Sequence, residues 1–177
     1  MFRAASQVQI GLVPLPTGPS RLRATMNLLM PYLTYEDLDP DLVWQSPGRT
    51  ITETDILAFA GFSGDFNVIH TDHEYAKTTA YRRPIAHGFG IFSIASGLSF
   101  YSPATKTVAL LSVTDWKFLA PVFVGDTIHV LSRVVEKSLK GVGKRGEVLW
   151  HRTILNQEGK AVQEGRMSTL VECRPKG

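Results

Sequence analysis

Two aspartates and two histidines fall within the stretch "SGDFNVIHTDH", Ser63 to His73, around a glycine and an asparagine. A carboxylate beside an imidazole can hold a water between them, one group taking its proton while the other relays one to a substrate. Asp65 and His70 are the pair that could do this. On a regular helix their five-residue spacing would set them about 140° apart, so they converge only if the backbone leaves the helix. Gly64 and Asn67 supply the means, since glycine admits unusual dihedrals and asparagine favours turns. A plainer reading of the same residues has Asp65 capping the next turn, His70 as a half-buried, hydrogen-bonded histidine and Asp72 capping a helix.

A second feature adds weight to the chemical reading. In "RRPIAHGFG", His87 and Gly88 immediately precede an apolar helical stretch. The first amides of a helix have no intrahelical partner and carry the positive end of its dipole, so the Gly88 N–H suits a carbonyl oxygen that gains negative charge. Glycine also lets a substrate approach closely. His87 reads as a buttress of the helix start rather than a participant. An Asp/His pair that handles water, facing an oxyanion donor, is what adding water to a double bond conjugated to a carbonyl requires. Asp65, His70, Asp72, His73 and His87 are acceptable metal ligands by type, but neither H-E-x-x-H nor a cysteine pair accompanies them, so no metal is expected. His73, His129 and His151 read as ordinary histidines.

The elements that must position these groups follow from pattern. Thr52 with Asp55 predicts a helix start, and Ile56, Phe59 and Ala60 share one face until Gly61. Asp72 predicts the cap of a second short helix ending before Pro84, which makes the polar stretch a connection between two helices. Gly88 to Tyr101 has no polar face, which predicts a helix buried on every side. Downstream, "TVALLSVTDWKFL", "DTIHVLSRVVEKSL", "GEVLWHRTIL" and "KAVQEGRMSTLVEC" read as strands joined by the turns "KGVGKRG" and "NQEGK". A sheet wrapped around one buried helix is an α+β arrangement.

Composition sets the outer limits. The 177 residues, 44% of them hydrophobic, suffice for one domain with a core. The single Cys173 cannot form an internal disulfide, which fits a reducing cytosol. The net charge of +3 is spread out, and the basic clusters Arg82-Arg83 and Lys140 to Arg145 are too short for a nucleic-acid stripe. The longest apolar run, "FGIFSIASGLSFY", is about 13 residues against about 20 for a membrane span. Residues 1–35 contain arginines but no acid, and prolines break any helix there. They read as a flexible extension with Met26 or Met30 as a candidate natural start, leaving 36–177 as one domain.

"FSGDFNVIHTDHEYA" followed by "RRPIAHG" resembles the signature of the MaoC-like (R)-specific enoyl-CoA hydratases, which have the hot-dog fold. The likeness spans about Ser46 to Val171 and includes "WKFLAPVFVGDTI". It implies that Asp65 and His70 are the catalytic pair and Gly88 the oxyanion donor. It further implies that Asn67 braces the catalytic loop and that Ser96, on the central helix, lies near the pocket. Val68 stands where the family usually has proline. The implied activity is reversible hydration of a trans-2-enoyl-CoA to an (R)-3-hydroxyacyl-CoA, with coenzyme A entering as part of the substrate and no other cofactor. Exposed sheet edges lead to an expected homodimer or larger homo-oligomer, with no nucleic acid or membrane partner. A hot-dog thioesterase and a non-catalytic acyl-binding module are the alternatives.

Overall fold

The computed structural model describes residues 22–24, 32–141 and 143–175. Four long strands carry the domain: β4 (Thr107–Phe118), β5 (Thr127–Lys140), β6 (Arg145–Leu155) and β7 (Ala161–Glu172). With the short strands β1 (Leu22–Ala24) and β2 (Val43–Gln45) they form a sheet in the order β1-β2-β5-β6-β7-β4, and the two-residue β3 (Arg49–Thr50) also pairs with β5. All these pairings are antiparallel except β1 with β2. The strands form because their side chains alternate between faces: on β5, Ile128, Val130, Ser132 and Val134 point inward and are buried, while His129, Leu131 and Arg133 between them are only partly so.

Four helices precede the long strands: α1 (Glu53–Ser63), α2 (Val68–Thr71), α3 (His73–Thr78) and α4 (Gly88–Ser99). Ile91 and Ala95 of α4 pack with Ile56 of α1 on Ile128, Val130, Ile154 and Val162 of the sheet. A second core gathers Leu38, Trp44, Val134, Val148, Trp150 and Val171. There Trp44 and Trp150 meet edge to face at 6.0 Å, and the Trp150 indole N–H donates to Thr169 Oγ1. Among the described residues no helix is long and apolar enough to cross a membrane.

Four expectations need correction. α1 runs two residues past Gly61, to Ser63, and α4 stops at Ser99 rather than Tyr101. The connection between the expected two helices contains a third, the single turn α2. α4 is not buried on every side: Phe89 is 69% exposed and Ser93 and Gly97 are exposed, because the sheet of this one chain covers only part of its circumference. β4, at the sheet edge, is similarly uncovered, with Val108, Leu110, Leu111 and Val113 all at least 40% exposed. The extension expected over residues 1–35 lies largely outside the described residues. Within them, Leu22–Ala24 pair with β2, and Leu33 exchanges backbone hydrogen bonds with Ala104 and Lys106.

Candidate active site

The chain reaches the site through a series of local backbone devices. Thr52 and Asp55 form a capping box at the start of α1, each side chain taking the other's amide. Partial burial pushes the Asp55 carboxyl up, but the Thr52 hydroxyl and amide and the Arg49 guanidinium outweigh it and hold the group below its usual range. Gly64 ends α1 in the left-handed region at φ 77°, its N–H donating to Ala60 O at 2.8 Å. Glycine adopts that conformation without a Cβ penalty, and the reversal ends the helical geometry that would have splayed Asp65 from His70.

Three polar side chains keep the bend in shape. Asp65 Oδ1 accepts from the Asn67 amide at 3.2 Å, and Asn67 Oδ1 caps α2 by accepting from the Ile69 amide at 3.1 Å. Asp72 Oδ1 caps α3 by accepting from the amides of Glu74 and Tyr75. The plain reading of Asp72 is therefore the observed one, and Asn67 braces the turn as a cap. Val68 is the first residue of α2. At that position proline's missing N–H is one of the helix's unpaired donors in any case, so valine gives up rigidity without disturbing a hydrogen bond.

The segment before α4 is laced to this bend. Ile85 N–H donates to Ile69 O, and Ile85 O accepts from His70 Nδ1 at 2.7 Å. A carbonyl can only accept, so Nδ1 carries the proton of the neutral ring and Nε2 is left with a lone pair. His87, 3% exposed, donates from Nε2 to Asp65 O at 2.9 Å by the same logic, and its buried Nδ1 has no partner among the described residues. The two imidazoles stack with centroids 3.8 Å apart. One ligand atom from each of Asp65, His70 and His87 lies within 4.8 Å of the others. Such a set can bracket one water, and its donor types are also ones that zinc accepts.

Cavities open on both sides of the stacked rings. One of about 310 Å³ is lined by His70, Tyr81, Gly88, Ile91, Phe118 and Gln163 among others. The other, about 200 Å³ and almost wholly apolar, lies between α1 and α4 and is lined by Ile56, Phe59, Phe62, His87 and Ile91 among others. Gly88 begins α4, and among the described residues no acceptor takes its N–H. Its carbonyl accepts from Gln163 Nε2 at 2.9 Å. A Cβ at Gly88 would lie 2.8 Å from the Phe118 ring, so the close approach requires glycine.

The chain thus brings Asp65, His70, His87 and Gly88 together, with Gly64 and Asn67 shaping the turn. Asp65 is exposed and does not line either of these cavities. Ser96 is partly buried two turns further along α4, about 12 Å from Gly88 by helical rise, and lines neither cavity. Sequence reasoning passed over Gln163 and Phe118, which meet Gly88, and Trp116, which bonds Gln163. Trp116 and Phe118 lay in the stretch "WKFLAPVFVGDTI" and Gln163 in the last strand, but nothing in the sequence gave the register that brings them to Gly88.

Residues 41–153 match the family described as the MaoC like domain. The chain is 34% identical over 132 residues to the (R)-specific enoyl-CoA hydratase of Rhodospirillum rubrum, an alignment covering 73% of this chain and 85% of that protein. The crystal structure of the MaoC-like dehydratase from Rhodospirillum rubrum superposes with a TM-score of 0.73 at 26% identity, over 81% of this chain and 99% of that one. A Mycobacterium tuberculosis protein described as a double hot-dog fold matches at TM-score 0.74 and 20% identity, over 82% of this chain and 46% of its own length. That last likeness concerns fold alone, and the fold is the hot-dog arrangement of sheet and central helix.

Proposed function

Because the chain belongs to the MaoC like domain family, we propose that it is a hydro-lyase adding water to trans-2-enoyl-CoA to give (R)-3-hydroxyacyl-CoA, and catalysing the reverse dehydration. The observation that carries this reading is the His70 ring, tied through Nδ1 to Ile85 O with Nε2 left to face a ligand, lining one cavity with the unpaired Gly88 N–H. Asp65, its ligand atom within 4.8 Å of that of His70, completes the water-holding pair. The named relative is an (R)-specific enoyl-CoA hydratase.

In this mechanism ionised Asp65 and neutral His70 hold one water. Its oxygen bonds to C3 of the enoyl thioester while its proton passes to the pair. The electrons of the C2–C3 double bond shift toward the thioester carbonyl, and the Gly88 N–H stabilises the negative charge growing on that oxygen. A proton delivered to C2 from the same face closes the sequence. Hydroxyl and proton both come from water, so no cofactor is needed and coenzyme A enters only as part of the substrate.

Exposed Phe62, Phe66, Phe89 and Phe118 near the site, with the uncovered apolar edge of β4, support a homodimer in which a second copy covers this surface. The lone Cys173 favours a reducing cytosol. The test is loss of enoyl absorbance from crotonyl-CoA, coupled to dehydrogenases of each stereospecificity. Wild type is expected to yield the (R) product, and Asp65→Asn to lose at least about a hundredfold in kcat. Near-normal hydration by Asp65→Asn, or release of free coenzyme A thiol instead of hydration, would end the proposal. Light scattering of the purified chain measures the dimer.

A further inference from the structure

The N–H of Gly88 has to be aimed at one oxygen, yet glycine has the backbone hardest to hold in a single orientation. Bulk cannot supply the rigidity, since a Cβ there would meet Phe118 at 2.8 Å. The restraint comes from β7. Gln163, 2% exposed and lining the same cavity as His70 and Gly88, donates from Nε2 to Gly88 O at 2.9 Å. Its Oε1 accepts from Trp116 Nε1 at 3.0 Å. An indole N–H can only donate, so Trp116 dictates which end of the amide faces it and leaves the NH₂ group for Gly88. Trp116 is itself seated: Gly165 lies under its ring, where a Cβ would be 2.6 Å away, and Phe92 of α4 meets it edge to face at 4.6 Å.

We propose that Gln163, oriented by Trp116, is a positioning residue for the oxyanion-binding N–H of Gly88, acting through its hydrogen bond to the Gly88 carbonyl. This rests on the hydratase reading given above. The amide has both ends paired in a buried site, so it admits one orientation, and that orientation restricts the rotation by which Gly88 could turn its N–H from the cavity.

The test follows crotonyl-CoA hydration by the full chain as wild type, Q163E, Q163L, W116F and D65N. The carboxyl group introduced in Q163E donates to Gly88 only while protonated, and once ionised it repels the carbonyl. Burial raises that group's pKa. The kcat of Q163E relative to wild type is therefore expected to be close to one near about pH 5.5 and to fall about tenfold by about pH 8.5, with KM changed less than about threefold. Q163L, with no donor at any pH, is expected to lose about tenfold in kcat throughout. A packing role alone would lower the melting temperature and leave the Q163E ratio flat with pH, and that result overturns the proposal. If neither Gln163 variant folds, W116F decides. Freed to flip, the amide loses its hold, and kcat should drop about threefold or more at constant KM, whereas unchanged kcat overturns the proposal. Failure of wild type to hydrate any enoyl thioester, or full activity in D65N, removes the hydratase reading and this inference with it. Normal wild-type turnover and an inactive D65N beside a flat Q163E ratio remove only the inference.

Discussion

Replacing Gly88 by alanine should separate activity from stability. The new Cβ would lie 2.8 Å from Cδ1 and Cε1 of Phe118, against about 3.5 Å at the near edge of relaxed carbon contact, so the ring or the helix start must move by about 0.7 Å. Phe118 is 51% exposed, but its ring packs edge to face on Phe89 of α4 at 5.5 Å, so the helix start shares the shift. Overpacking strain of about 1 kcal/mol is opposed by the better helix propensity of alanine, worth up to about 1 kcal/mol within a helix. Position 88 is already helical, so the backbone adds no strain. The melting temperature should therefore stay within about 4 °C of wild type. For catalysis the movement of the helix start is what counts, because a productive donor tolerates only about 0.5 Å and a lost oxyanion donor lowers kcat by about 10²-fold or more. G88A is expected to hydrate crotonyl-CoA about a hundredfold more slowly, measured by enoyl absorbance beside a thermal-shift assay. The double variant G88A/F118A, which removes the ring, should recover at least about tenfold of that loss. Turnover by G88A within about threefold of wild type would refute the oxyanion argument, and no recovery in the double variant would refute its steric basis.

Other perturbations probe the supports of the site. His87→Phe keeps a flat ring against His70 and Phe59 but removes the N–H that holds Asp65 O, so kcat should fall about tenfold and urea denaturation should show a loss of about 1 kcal/mol. Thr52→Ala removes the α1 cap and should cost about 1 kcal/mol by the same denaturation. Burial pushes the imidazoles of His129 and His151 down; Arg133 adds to this at His151 and Glu164 partly opposes it. With folded pKa values below the ordinary 6.5, both groups bind fewer protons folded than unfolded. Stability should thus be fully present above about pH 7 and decline as pH falls through the ordinary value, until the folded groups protonate. Chemical denaturation at several pH values measures the decline, and His151→Gln should flatten it.

The bend that carries the site was legible because its causes are local. Gly64 ends α1, Asn67 caps α2 and Asp72 caps α3, each satisfying backbone groups within four residues of itself. The extra turn α2 escaped notice because four residues carry no periodicity. The exposure of Phe89 on α4 also escaped, since a helix apolar on all sides does not say which side the sheet will cover.

The residue types along the chain were enough to determine the fold class, the caps and the reversal at Gly64, and to single out Asp65, His70 and the helix-start amide of Gly88 as candidates for chemistry. Only the tertiary structure decided which atoms meet. His87 reaches the Asp65 carbonyl across 22 positions, Trp116 reaches Gln163 across 47, and Gln163 reaches Gly88 across 75. Those contacts depend on strand register, in which a slip of one residue turns every side chain to the opposite face. Register is set by the packing of the whole sheet on α4, which no short stretch of sequence contains.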